Sequence, residues 1–172
     1  YQNLGYRVVV LAGDLRRALQ RHEFEPYYQP IINLSDGSLV GYEALMRWHH
    51  PSRGLCAPGD FIAIAEETGS LEQMDWQVYE LVCRDIRRLS SGKAYTCLNV
   101  APRHLRAPGF CERILELMGR NGIKPGQLRL EVTEGALLEQ PEVVQTCLGR
   151  LRDAGVATLL DDFGTGYSSL SY

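Results

Sequence analysis

Four oxygen-bearing side chains stand at or near the ends of four strand-like apolar runs: Glu43, Asn99, Glu131 and Asp161, the last followed directly by Asp162. In the run Leu39 to Trp48 the period-two alternation places Glu43 and Arg47 on one face and Tyr42, Ala44 and Met46 on the other. Cys97 and Asn99 share a face opposite Leu98 and Val100, and Glu131 faces away from Leu128, Leu130 and Val132. Singly, each is an ordinary solvated strand-end residue. On consecutive strands they form a constellation at the C-terminal ends, where α/β folds place their sites. Hard oxygen donors without Cys or His suit Mg²⁺, Mn²⁺ or Ca²⁺ rather than structural zinc. Arg47 is either a partner for a carboxylate or a ligand for an anion.

Other chemistry-bearing patterns are weaker. Asp162–Phe163–Gly164 matches a kinase metal motif, but the Gly-rich nucleotide loop and the catalytic-loop motif are absent, which excludes a kinase. Gly164–Thr165–Gly166–Tyr167–Ser168–Ser169 follows a strand and could cradle phosphate through backbone amides, a pattern also common in turns before helices. His49–His50 beside Trp48 lacks a third ligand at metal spacing and reads as structural.

The elements that must position these residues follow from periodicity and punctuation. A helix is predicted from Asp14, as cap, to Arg21, with Leu15, Ala18 and Leu19 at helical spacing. Tyr27 to Leu34 and Leu39 to Trp48 flank Ser35–Asp36–Gly37 and read as an antiparallel pair. Pro51 to Pro58 reads as a loop, and Asp60 to Thr68 as a short helix closed by Gly69. A long helix opens at Ser70, with Gln73 completing a capping-box pattern, and runs to Leu89. Thereafter strands Tyr95 to Val100, Leu128 to Thr133 and Val156 to Asp161 alternate with helices Gly109 to Asn121 and Pro141 to Ala154. The strand starts lie about 30 residues apart, the length of a strand–helix–strand unit, which implies a parallel sheet, doubly wound or closed into a barrel.

Composition bounds the function. The chain has 172 residues, 45% hydrophobic and 23% charged, enough for one domain with a core. A formal charge of −3 argues against gripping a DNA or RNA polymer but leaves a small anionic ligand held through metals. The aliphatic run Val8 to Ala12 is too short to span a bilayer, and no signal peptide is read. Five scattered cysteines without C-x-x-C pairing fit buried free thiols in a reducing compartment. The chain opens at Tyr1 rather than Met and is read as part of something longer.

Taken in order, the motifs resemble a known family. Tyr28–Gln29–Pro30–Ile31, then Gly41–Tyr42–Glu43–Ala44–Leu45–Met46–Arg47–Trp48, is similar to the opening of an EAL domain, the bacterial cyclic di-GMP phosphodiesterase family. Pro58–Gly59–Asp60–Phe61–Ile62, Ala65–Glu66–Glu67–Thr68–Gly69, Leu98–Asn99–Val100, Glu131–Val132–Thr133–Glu134 and Asp161 through Leu170 continue the resemblance over residues 14–172. It implies an α/β fold, a modified (β/α)8 TIM-type barrel with an antiparallel first strand, of which this chain carries about five strands of eight. On this reading residues 1–13 are an upstream segment or linker and 14–172 the N-terminal two-thirds of the domain.

The resemblance also implies roles. Glu43, Asn99, Glu131 and Asp161 become metal ligands, with Asp162 serving a second ion. Gln29 and Arg47 touch the cyclic dinucleotide, Arg47 through phosphate, and Glu134 steadies the loop after Asp162. Glu43, Asp161 and Asp162 are the catalytic set. Two Mg²⁺ or Mn²⁺ ions, with Ca²⁺ inhibitory, would support hydrolysis of cyclic di-GMP to linear pGpG by in-line attack. The family's water-orienting Lys, a later Glu and a guanine-contacting Gln would follow Tyr172, so the complete domain is the expected active unit. A cytoplasmic location and fusion to a sensory or regulatory domain are implied, with room for a homodimer through barrel helices. The alternative reading is a truncated or degenerate domain that binds cyclic di-GMP or a partner protein without hydrolysis.

Overall fold

The computed structural model describes residues 2–89, 93–138 and 140–161, with side chains from residue 10 onward except at Leu138. The chain divides into two compact units, Tyr1–Tyr28 with Leu45–Val82, and Gln29–Ala44 with Cys83–Tyr172. The elements in chain order are α1 (Gln2–Arg21), β1 (Phe24–Ile32), β2 (Leu39–His50), β3 (Gly54–Cys56), α2 (Ile62–Glu67), α3 (Leu71–Leu89) and β4 (Tyr95–Asn99). They continue with α4 (Pro102–Arg106), α5 (Phe110–Asn121), β5 (Leu128–Thr133), α6 (Glu134–Leu138), α7 (Pro141–Asp153) and β6 (Ala157–Asp161).

In the first unit, α1 begins at Gln2 rather than at the predicted Asp14 cap. Leu11, Leu15 and Ala18, spaced four and three apart, are all buried, so one apolar stripe carries the helix through the expected start. Asp14 is an interior helical residue whose carboxylate takes Arg17 one turn on. Phe24, Trp48 and Phe61 form an aromatic cluster with centroids 5.6 to 5.9 Å apart. Trp48 Nε1 donates to Glu23 Oε2 at 3.0 Å, which satisfies the indole as it enters the core. The predicted loop 51–58 contains β3, antiparallel to β2 through Trp48–Cys56, His49–Leu55 and His50–Gly54. His50 holds that return together: its buried Nδ1 accepts from Ser52 N and Arg53 N, both at 3.2 Å, and its Nε2 lies 3.3 Å from Asp14 Oδ2. The structural reading of His49–His50 therefore stands.

The hairpin joining β1 to β2 is locked by its turn. Asn33 N donates to Ser38 O at 2.8 Å, Asp36 Oδ1 accepts from Ser38 N at 2.9 Å, and Gly37 takes φ 70°, the left-handed conformation the sequence assigned to it. Asn33 N bonding Ser38 O at one end, and His49 N bonding Glu23 O at the other, make the pair antiparallel.

In the second unit the strand order is β1-β2-β4-β5-β6, with β2, β4, β5 and β6 mutually parallel. Leu128, Leu130 and Val132 of β5 are buried toward the helical side, with Ile114 and Leu117 of α5 and Val144 and Leu151 of α7 also buried. Two short helices were not predicted, α4 and α6. α6 follows β5 directly and α4 follows β4 after two residues, and each is too short to show a 3.6-residue period. Gly155, at φ 86°, turns the chain from α7 into β6 where a Cβ would stand 2.4 Å from Pro125 Cβ, so only glycine fits. An antiparallel first strand followed by successive strand–helix units is a partial TIM-like barrel. Among the described residues no helix is long and apolar enough to cross a membrane.

Candidate functional site

Strand register brings most of the sequence-predicted ligands to one face. Glu43 of β2 is level with Cys97 of β4, Asn99 with Glu131 of β5, and Thr133 with Asp161 of β6. Level residues on parallel strands point to the same side, so Glu43, Cys97, Asn99, Glu131 and Asp161 share the face opposite the covering helices. These residues are staggered: Asn99 stands two residues beyond the partner of Glu43, and Asp161 two beyond Leu159, the partner of Glu131. That offset lets Asn99 Nδ2 donate diagonally to Glu43 Oε1 at 3.0 Å.

The electrostatics at this face are those of crowded anions. The Glu131 carboxyl is held above the usual carboxylate range, first by burial and then by the charge of Glu43, with Asp161 adding to it. Glu43 thus acts on Glu131 across β4, two like-charged carboxylates brought close enough for Glu43 to disfavour ionisation of Glu131 alongside it. Level with Glu43 and below Glu131, the Cys97 thiol is pushed up to about 12 by burial and the negative charge of Glu131, and it stays protonated as a donor to that carboxylate. Among the described residues no three His, Cys, Asp and Glu side chains are grouped to hold a metal ion. The donor chemistry nonetheless fits a hard divalent cation: two neighbouring carboxylates, a third adding repulsion, and an amide bonded to the first are oxygen-bearing groups whose crowding a cation would relieve.

Sequence reasoning missed the layer below. Arg129, two residues before Glu131 and on the same face, lays its guanidinium carbon 3.5 Å from the Tyr95 ring centroid. Its Nε is buried without a hydrogen-bond partner. Tyr95 in turn fills the space over Gly41, where a Cβ would meet the ring at 2.7 Å. The alternation that exposed Glu131 also places Arg129 and could have found it.

The remaining assignments separate. Gln29 is exposed on β1. Arg47 lies in the first unit, where its Nη1 donates to Met46 O at 3.1 Å and its guanidinium carbon stands 5.9 Å from the Tyr27 ring centroid. Glu134 is the first residue of α6, where a negative charge complements the helix N-terminus. Asp162 and the segment Gly164–Ser169 lie outside the described residues.

Comparison with known proteins places this architecture. The EAL domain profile matches residues 12–172. The chain is 39% identical over 162 residues to the cyclic di-GMP phosphodiesterase NbdA of Pseudomonas aeruginosa, covering 92% of this chain and 21% of that protein. It is 37% identical over 165 residues to the bifunctional diguanylate cyclase/cyclic di-GMP phosphodiesterase MucR of the same organism, covering 94% and 24%. Among solved structures, the PaMucR phosphodiesterase in complex with c-di-GMP superposes with a TM-score of 0.85 at 35% identity, over 93% of this chain and 66% of that one. The EAL enzyme Bd1971, bound to cAMP and cyclic di-GMP, gives 0.86 at 28% identity over 99% and 50%. The chain thus spans about a fifth to a quarter of the length of these curated relatives. With the profile matched across nearly its whole length and the fold shared with solved EAL structures, the chain belongs to the EAL domain family.

Proposed function

We propose that this chain supplies the ligand-bearing strands of a metal-dependent phosphodiesterase domain that hydrolyses cyclic di-GMP to linear pGpG. The observation that carries the reading is the convergence of Glu43, Asn99 and Glu131 on one sheet face, with Asp161 adding its charge. Glu43, Asn99, Glu131 and Asp161, together with Asp162, would hold two Mg²⁺ or Mn²⁺ ions. The chemistry such ions would supply there is neutralisation of phosphodiester charge and a lowered pKa for an attacking water. Asn99 orients Glu43 by its hydrogen bond, and the Cys97 thiol holds Glu131 from below. Arg47 contacts a substrate phosphate and Gln29 the dinucleotide, while Glu134 steadies the segment after Asp162.

The same reading takes residues 1–13 as a lead-in and 14–172 as domain, within a longer protein that carries a sensory or regulatory part. It places the domain in the cytoplasm, with a homodimer forming through barrel helices. The test is turnover of cyclic di-GMP by the complete domain. Mg²⁺ or Mn²⁺ should support pGpG formation and Ca²⁺ should block it, since its looser coordination misplaces the water. Glu43→Ala and Asn99→Ala should abolish turnover in a folded protein, and Arg47→Ala should raise KM. Full turnover in excess chelator would overturn the metal mechanism, and tight dinucleotide binding without pGpG would replace hydrolysis by sensing.

A further inference from the structure

Two thiols that the proposed hydrolysis does not use meet on the helical side of the second unit. Cys111 opens α5 and Cys147 lies in the middle of α7, and their side chains are hydrogen-bonded to each other. They are 4% and 8% exposed, and both line a cavity of about 610 Å³ whose wall also carries Arg106, Gln140, Thr146 and the Glu112–Arg150 ion pair. A space of that size is comparable to small-ligand pockets and gives a molecule of several hundred daltons a route to the sulfur atoms. The other three cysteines, Cys56, Cys83 and Cys97, are also buried and free.

We propose that Cys111 and Cys147 are a dithiol modification site, converted to an α5–α7 disulfide by a small-molecule disulfide that enters this cavity. Thiols already in hydrogen-bond contact need only a short closing movement to reach a disulfide bond of about 2.05 Å. Burial pushes both thiols up, Cys147 to about 11; the Arg150 charge is the main counterweight at Cys111 but the weakest influence at Cys147, so Cys111 is the better first nucleophile.

The exchange balances in two steps. The Cys111 thiolate attacks the small disulfide, forming a mixed disulfide and releasing one small thiolate. Cys147, giving up its proton to solvent, then attacks the Cys111 sulfur of that mixed disulfide, closing the protein disulfide and expelling the second small thiolate. Two protein thiols are oxidised and one disulfide is reduced to two thiols. The product would tie together the helices that lead into β5 and β6, the strands carrying Glu131 and Asp161.

The experiment treats the full chain with excess oxidised glutathione at mildly alkaline pH, then blocks remaining thiols and maps peptides by mass. Two of the five thiols should disappear, with a peptide pair joining Cys111 to Cys147 and no retained glutathione. Cys147→Ser should instead retain one glutathione adduct, on Cys111, and Cys147→Ala should do the same if the serine variant folds poorly. Reductant should restore all five thiols in the native protein. Five intact thiols after treatment, a bridge to Cys56, Cys83 or Cys97, or stable adducts on both Cys111 and Cys147 would each overturn the proposal.

Discussion

Gly41→Ala probes the stack beneath the ligand face directly. The new Cβ would fall 2.7 Å from Tyr95 Cδ2 and Cε2 and 2.9 Å from Cζ. Comfortable carbon–carbon contact begins near 3.5 Å, so the ring must retreat by about 0.8 Å. Tyr95 cannot retreat without cost, because its face carries the Arg129 guanidinium. Tipping the ring sacrifices a cation–π contact worth about 0.5–2 kcal/mol, and holding it in place strains β2 against β4 by about 1–3 kcal/mol. The cheaper route sets the expectation, a loss of about 1–2 kcal/mol of folding stability. Urea unfolding of the native chain, Gly41→Ala, Tyr95→Ala and the double variant measures it. Removing the ring removes the clash, so in the Tyr95→Ala background the glycine substitution should cost less than about 0.5 kcal/mol. Equal cost in both backgrounds would refute the argument, since the alanine would then be harming the strand rather than meeting the ring.

Three further outcomes are expected. Gly155→Ala combines a φ of 86° with a Cβ 2.8 Å from the Pro125 Cα, and should destabilise by about 3 kcal/mol in denaturant unfolding, from left-handed strain and overpacking together. Glu131→Gln should raise the melting temperature of the metal-free chain at neutral pH while abolishing turnover of the complete domain. The Glu131 carboxyl is held up by burial and by Glu43, so its favourable contribution exists below the unfolded-state value and is lost as pH rises through the folded one; the gain should therefore vanish below about pH 4. Trp48→Phe deletes the Nε1 bond to Glu23, whose carboxylate is only partly buried, and should cost about 1–2 kcal/mol by thermal unfolding.

Legibility from sequence followed the strength of local signals. β5 was read to its end residues because Leu128, Leu130 and Val132 alternate with polar neighbours, and the hairpin because Asp36–Gly37 admits one turn. The start of α1 was missed because Asp14 looks like a cap; its carboxylate is instead used by Arg17 and His50, partners no local pattern reveals. β3 is three residues long and exists through pairing with β2, so nothing periodic announced it. The common face of Glu43, Asn99 and Glu131 was legible because one residue in two must point that way, whereas the repulsion Glu43 exerts on Glu131 depends on strand register, which alternation leaves undetermined. The Cys111–Cys147 contact likewise rests on how α5 and α7 pack, not on any spacing between the two residues.

The stagger of Glu43, Asn99, Glu131 and Asp161 imposes a grammar of insertions on this domain. One residue added between Cys97 and Asn99 would turn Asn99 to the helical side, while two would restore the face but carry the amide about 6.6 Å further along the strand, away from Glu43. Length can change without that penalty only in the connections, such as 122–127 between α5 and β5, where a longer loop costs a few tenths of a kcal/mol to about 0.6 kcal/mol per doubling. The strands therefore act as fixed rulers and the connections as the free text between them, so new loops can be grafted at these joins without redrawing the site.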